Sequence, residues 1–340
     1  MINSKRIIKQ LLARIGRPFL ASLHHSLLDF KSDLADQLTK QIIVNQLCSH
    51  YAMLYELARP GEYVLTKTKR SPRLVVSLTS IPSRLHKVHL VVESLFRQSL
   101  PPDEIVLWLD EKQFTPERLP AGLRKQQQRG LTIRYCVDYG PHTKLLHALR
   151  EYPHDLIATC DDDQLYPDCW LEKLYSAYSR EPEVVHCHLA HRMTLNKDGN
   201  LCNYDQWNLH TDSQQASLLI FPTGVGGVLY FPRCFDDEVQ NHQQFITLCP
   251  KADDIWFKAM TLRLGIRCKV LQDGVKFDRS PLADNLCTIP GSQAVSLMAR
   301  NLFHGENDSQ LAKVLSHYQL YEILKAESVR ELALAMQIRC

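Results

Sequence analysis

The 340-residue chain, 45% hydrophobic and 23% charged, has the balance of a soluble globular protein with one large core, or one core with appendages. Its net charge of +3 lends no support to a nucleic-acid partner. The 11 cysteines are odd in number and include no C-x-x-C pair, which argues against a secreted disulfide framework and for free thiols in a reducing cytosol.

Charge is uneven along the chain. Residues 1–70 carry 11 Lys and Arg against 5 Asp and Glu, so the positive excess sits in an N-terminal extension and the remainder is mildly acidic. Residues 4–60 are helical in pattern: Ile8, Leu11, Leu12, Ile15 and Phe19 recur at helical spacing among Lys5, Arg6, Lys9, Arg14 and Arg17. After Gly16 and Pro18 a second stripe runs through Leu34, Leu38, Ile42 and Leu47. Over residues 1–20 two readings stand: a basic amphipathic helix on an anionic membrane surface, or a helical arm packed on the body. The charged residues interrupt any signal-peptide core, and no run approaches the roughly 18 apolar residues of a membrane span. The expected location is the cytoplasm, peripheral on the inner face of the cytoplasmic membrane if the arm binds lipid.

Pro60-Gly61 and the polar Thr66–Pro72 stretch mark the start of a main domain expected over residues 71–275. Leu74–Thr79 (LVVSLT) is a short β-branched run, a buried strand that Pro82 ends. Val88, Val91, Val92, Leu95 and Phe96 then form a helical stripe. Ile105–Leu109 and Leu131–Val137 are the next strands, with Gln126–Gln128 read as a solvated helix face between them. A helix around Lys144–Glu151 precedes a fourth strand, Leu156–Cys160. Uniformly apolar strands alternating with helices predict an α/β fold with a mostly parallel sheet and helices on both faces. Ligands of such sheets bind beyond the carboxyl ends of the strands. Residues 276–340 are expected to complete the active site and end in helix.

Asp161-Asp162-Asp163 directly follows the fourth strand. Adjacent carboxylates beside a buried strand are driven toward the neutral form unless a cation compensates. In an extended segment Asp161 and Asp163 point the same way, which suits Mg²⁺ or Mn²⁺ shared with substrate phosphates. A solvated acidic turn before the helix starting near Asp168 is the plainer reading. Asp253-Asp254 opens a helix carrying Ile255, Trp256, Ala259, Met260 and Leu264. There Asp253 can cap the helix while Asp254 serves as a base. Lys144 is either a positive contact for a phosphate or a solvated surface lysine. Gly224, Gly226 and Gly227 either allow a sugar and diphosphate close approach or simply make a turn. His186, His188 and His191 sit close together, but no further ligand stands at typical zinc-site spacing, so a packed or substrate-facing strand is expected. His304 is read as an extra metal ligand or an ordinary loop histidine, with Asn307 or Asp308 capping the helix that follows.

Five motifs in order, Leu78–Arg84 (LTSIPSR), Ile105–Asp110 (IVLWLD), Lys144 ahead of Asp161–Asp163, Thr223–Tyr230 (TGVGGVLY) and Ala252–Trp256 (ADDIW), carry a resemblance. Over roughly residues 73–310 the chain resembles bacterial glycosyltransferases related to the family 2 enzymes, many of which build surface polysaccharides. The resemblance implies a GT-A type, Rossmann-like fold and a nucleotide-sugar donor, UDP-linked by expectation. It assigns Thr79, Arg84 and Asp110 to the nucleotide base and Asp161 and Asp163, with Asp162 between them, to ribose and metal. Lys144, Gly226 and Gly227 complete the donor site, and Asp254 is the catalytic base of inverting transfer to a hydroxyl of a glycan or glycolipid. The rival readings are a sugar-nucleotide nucleotidyltransferase, which normally has a Gly-rich basic loop where Thr79–Arg84 has no Gly, and a non-catalytic carbohydrate-binding relative.

Overall fold

The structure, a computed structural model, describes residues 35, 38–59, 61–275, 285–292 and 305–337. Residues 1–20 and His304, both singled out above, lie outside the described residues. The strands are β1 (Leu74–Thr79), β2 (Glu104–Asp110), β3 (Leu131–Cys136), β4 (Leu156–Thr159), β5 (Gln164–Leu165), β6 (Val185–Cys187), β7 (Ala190–Arg192), β8 (Ile220–Pro222), β9 (Val228–Tyr230), β10 (Cys268–Val270) and β11 (Cys287–Thr288). The helices are α1 (38–57), α2 (Val88–Phe96), α3 (Ala121–Gln127), α4 (Thr143–Glu151), α5 (Trp170–Arg180), α6 (His242–Leu248), α7 (Asp253–Arg263), α8 (Glu306–His317) and α9 (Tyr321–Gln337).

Seven strands form the central sheet in the order β10-β6-β9-β4-β1-β2-β3. Every neighbouring pair is parallel except those of β9, which runs antiparallel to both β4 and β6. The mostly parallel α/β fold expected from the strand runs is therefore the fold of the chain. Successive residues of a strand face opposite sides, and the two sides lead to two apolar layers. Val75, Val106 and Ile157 join Leu145 and Leu146 of α4, Phe245 of α6, and Ile255 and Trp256 of α7 on one face. Leu74, Val76, Leu78, Ile105 and Leu107 join Val88, Val91 and Leu95 of α2 and Trp170 and Leu174 of α5 on the other. Each such side chain is fully or nearly fully buried, and burial of a Val, Leu or Phe stabilises by about 1.5–3 kcal/mol over leaving it in water.

One local expectation changes. Gln126 is fully buried, with its amide donating to the His89 carbonyl at 2.8 Å beside the buried Arg129–Glu93 ion pair. A run of glutamines reads as solvated, but one of the three turns inward to the His89 carbonyl and the Glu93 carboxylate. The described part of the N-terminal extension, α1, packs Val44, Leu47 and Tyr51 against the body, and Lys125 Nζ donates to the Tyr55 carbonyl at 2.6 Å. This part of the extension is a helical arm docked on the domain. Among the described residues no helix is long and apolar enough to cross a membrane. Cys160, Cys187 and Cys268 are buried free thiols, as their apolar surroundings in the sequence suggest.

Candidate donor and base site

The parallel strands bring their carboxyl ends to one edge. Ser77 of β1 pairs with Thr159 of β4, and Thr79 pairs with Trp108 of β2, so the residues that follow these three strands emerge side by side. Asp161-Asp162-Asp163 leaves β4 there, in a turn instead of an extended segment. The turn alters the expected geometry. Asp161 faces Lys144, with Lys144 Nζ 2.8 Å from its Oδ1, whereas Asp162 and Asp163 face Arg84 at 2.8 and 3.2 Å. Ser80 donates to the second oxygen of Asp162 at 2.6 Å, and Gln164 donates to Asp163 at 3.0 Å.

Lys144 is not a solvated surface lysine. It is buried in the first turn of α4, where Ser77 Oγ donates to the Lys144 carbonyl at 2.5 Å and fixes that turn against β1. Its ammonium also reaches Asp253 Oδ2 at 3.1 Å. Burial opposes its charge, but Asp161, Asp253 and Asp254 outweigh that and hold it protonated well above the ordinary lysine value.

Asp253 does not cap α7: the N-cap is Ala252, with no side-chain cap, and the Asp253 carboxylate turns to Lys144. Asp254 accepts from the Gly224 N–H at 3.1 Å on each oxygen. Burial and the neighbouring Asp253 raise its carboxyl from the usual range to about 7, against the pull of Lys144. A carboxyl poised there can take a proton near neutral pH, the requirement for a general base.

The glycines divide between two tasks. A Cβ on Gly224 would stand 2.8 Å from both Asp254 Oδ1 and Lys144 Nζ, so this glycine is what lets helix α7, the turn and Lys144 converge. Gly226 and Gly227, expected to admit the donor, have their open sides filled: a Cβ there would meet Leu189 at 2.8 Å and Trp170 at 2.5 Å. The Trp170 indole donates to the Gly226 carbonyl at 2.8 Å, and Gly227 has φ +94°, a conformation that disfavours side chains. Their role is to seat Trp170 and Leu189 against the turn.

Thr79 and Asp110 lie at the same edge, at the ends of β1 and β2. Thr79 Oγ1 donates to the Trp108 carbonyl at 3.0 Å, while Asp110 accepts from Lys112 N and Gln113 Nε2 at 3.1 and 2.6 Å and so closes its own turn. The three histidines are packed singly: the rings of His186 and His188 sit against the carbonyls of Glu181 and Trp170, and His191 accepts from His210 N. Asp308 does not cap α8, whose N-cap is Gly305; it accepts from Tyr204 N at 2.8 Å instead. Two positioning groups had weak or no signal in the sequence. Ser80 sits unremarked inside the Leu78–Arg84 motif. Tyr166 Oη accepts from Asp161 N at 2.8 Å and donates to the Val225 carbonyl at 3.3 Å, tying the acidic turn to the glycine turn.

Residues 285–292 close one side. β11 pairs with β5, Ile289 N donates to the Asp163 carbonyl at 2.8 Å, and Arg84 Nε and Lys87 Nζ donate to the carbonyls of Ser292 and Pro290 at 3.2 and 2.6 Å. Among the described residues no three His, Cys, Asp or Glu side chains surround a common metal position. The donor chemistry still fits a divalent ion. Asp161 and Asp163 are hard oxygen donors on one turn, and burial together with Asp161 raises the Asp163 carboxyl to about 6 despite Arg84. Mg²⁺ and Mn²⁺ commonly take one or two carboxylates, with water and phosphate oxygens filling the other positions.

The glycosyl transferase family 2 model matches residues 84–226, from Arg84 through the acidic turn to Gly226, and leaves Thr79 and Asp254 outside. Over that stretch the chain is similar to this family. Comparison with curated proteins found no match. Among solved structures, the chain is similar to the mannosyltransferase PcManGT from Pyrobaculum calidifontis, in complex with GDP-Man and Mn²⁺, at 14% identity and a TM-score of 0.44, covering 88% of this chain and 86% of that one. S. aureus TarS in complex with UDP gives 14% identity and a TM-score of 0.39, over 59% and 58%. A CMP:2-keto-3-deoxy-manno-octonic acid synthetase complexed with CTP gives 13% and 0.36, over 58% and 89%. At these scores the fold rests on the chain's own strand order and not on its neighbours.

Proposed function

We propose that this protein is an inverting glycosyltransferase that moves a sugar from a nucleotide-sugar donor to a hydroxyl of a growing glycan. The observation that carries the reading is the convergence of Asp254 with Lys144 and Gly224 beside the acidic turn, inside a domain whose residues 84–226 match a glycosyl transferase model. The acceptor hydroxyl attacks the anomeric carbon while Asp254 takes its proton. The bond from that carbon to the phosphate oxygen breaks, and the electron pair leaves with the nucleoside diphosphate. One displacement of this kind inverts the anomeric centre and forms no sugar–enzyme bond.

Asp161 and Asp163 would hold Mn²⁺ or Mg²⁺, which when bound neutralises the negative charge developing on the leaving diphosphate. Lys144 adds a second, permanent positive charge, paired with Asp253 next to the base. Thr79, Arg84 and Asp110 form the nucleotide side of the site, with UDP the expected nucleotide. Residues 1–20 are assigned to an anionic membrane surface, which would bring the enzyme to a glycolipid acceptor. The test is the anomeric configuration of the product by NMR: an α-linked donor should yield a β-linked product, and retention would exclude the single-base mechanism. Release of pyrophosphate from a nucleoside triphosphate and a sugar phosphate would instead mark a nucleotidyltransferase.

A further inference from the structure

We propose that Arg84 is the resident counter-ion of the acidic turn, so that a divalent cation enters the site together with a nucleoside diphosphate and not alone. The inference rests on the donor-site reading above. Arg84 gives one guanidinium nitrogen to Asp162 at 2.8 Å and the other to Asp163 at 3.2 Å, and its Nε donates to the Ser292 carbonyl at 3.2 Å. Its side chain is 17% exposed and the two carboxylates 6% each, so water screens these charges poorly. The fork is thus committed on all three edges, and it covers Asp163 Oδ2.

A bare divalent ion reaching Asp163 meets that fixed positive charge. Displacing the guanidinium from Asp163 would leave Asp162 as its one carboxylate partner and keep its charge beside the incoming ion, and Lys144 already holds Asp161. A diphosphate removes both obstacles. Its oxygens match the planar guanidinium fork, and they also supply ligands to the metal. As Arg84 moves to phosphate, Asp163 Oδ2 exchanges its guanidinium for the cation. The metal and the diphosphate therefore raise each other's affinity through one side chain, and such coupling is reciprocal. Lys144 cannot take this part, since it lies between Asp161 and Asp253 and pairs with both.

The experiment measures Mn²⁺ binding to the full-length protein by the EPR signal of free Mn²⁺, without nucleotide and with saturating UDP or GDP. Wild type should bind Mn²⁺ weakly alone and at least about tenfold tighter with the better diphosphate, within the usual 5–150-fold range of coupling. Arg84→Gln should bind Mn²⁺ alone about tenfold tighter than wild type and gain much less from the diphosphate. Arg84→Lys keeps a positive charge and should remain close to wild type in the absence of nucleotide. Thermal melts guard against misfolding: Mn²⁺ alone should raise the Tm of Arg84→Gln more than that of wild type. Equal Mn²⁺ affinity in wild type and Arg84→Gln without nucleotide would overturn the proposal, as would wild-type affinity indifferent to diphosphate. These outcomes are separable from the transfer reading, because a protein that transfers sugar yet shows no coupling refutes the role of Arg84 alone. Coupling in a protein that turns over no sugar nucleotide supports that role and counts against transfer.

Discussion

Replacing Gly224 by alanine separates the proposed base from the scaffold around it. The new Cβ would lie 2.8 Å from Asp254 Oδ1 and 2.8 Å from Lys144 Nζ, against the roughly 3.4 Å of ordinary contact, so the carboxylate must shift by about half an ångström. Lys144 cannot give way freely, being held by Asp161 and Asp253. A misplacement of about 1 Å can cost on the order of 10²-fold in rate, so half of that predicts about a tenfold fall in kcat. Gly224 has no left-handed backbone strain to add, and overpacking should cost about 1–3 kcal/mol. Gly226→Ala and Gly227→Ala are the controls. Their Cβ atoms meet Leu189 and Trp170, and Gly227 also requires φ +94°, so both should lose stability, with Gly227→Ala losing about 1–2 kcal/mol more. The assay is nucleoside diphosphate release per folded molecule, with thermal melts on the same samples. Wild-type turnover by folded Gly224→Ala, or a rate defect in Gly226→Ala without a stability defect, would refute the division of roles among the glycines.

Four further outcomes follow from the site. Excess chelator should abolish transfer and Mn²⁺ or Mg²⁺ restore it, with Asp163→Ala losing activity and donor affinity together; full activity in chelator would remove the metal from the account. The raised Asp254 carboxyl must be ionised to accept a proton, so kcat/KM should rise with pH through about 7 and level off above it, and a flat profile from pH 5 to 8 would count against this base. The same shift has a stability sign: folding favours the protonated form, so the wild-type contribution is present below the ordinary carboxyl value and lost as pH rises through about 7. Asp254→Asn should therefore melt above wild type at pH 8 and close to it at pH 4–5, read by calorimetry at both. Deleting residues 1–20 should spare activity on a soluble acceptor while reducing salt-sensitive binding to anionic liposomes, and equal binding to neutral liposomes before deletion would contradict the membrane assignment.

The fold was legible because its strands are short, apolar and β-branched between turn residues. Leu74–Thr79 matches β1 end to end, β2 is one residue longer at each end than expected, and β3 and β4 each end one residue earlier. Period-2 and period-3.6 patterns suffice when both sheet faces are buried. The acidic turn was legible because charge directly after a buried strand needs a partner, whereas Lys144 and the base role of Asp254 drew on the order of the five motifs. Direction was not legible. Whether 161–163 continues as strand or turns decides which cation each carboxylate faces, and that is set by Tyr166 and Ser80, which lie outside any local pattern. Three glycines in four residues look equivalent in sequence, yet Gly224 meets the base while Gly226 and Gly227 meet Leu189 and Trp170, distant in the chain. Asp253 reads as a helix cap from its position, and only the arrival of Lys144 from another element turns it inward.

The central claim is tested most directly by nucleoside diphosphate release from a panel of sugar nucleotides with Mn²⁺ and a glycan acceptor, run in parallel on wild type and Asp254→Asn. The account predicts that one donor supports acceptor-dependent release by wild type, and that Asp254→Asn is slower by on the order of 10²–10⁴-fold with donor affinity little changed, because the amide keeps the shape but cannot take the proton. Turnover by Asp254→Asn at the wild-type rate would contradict it.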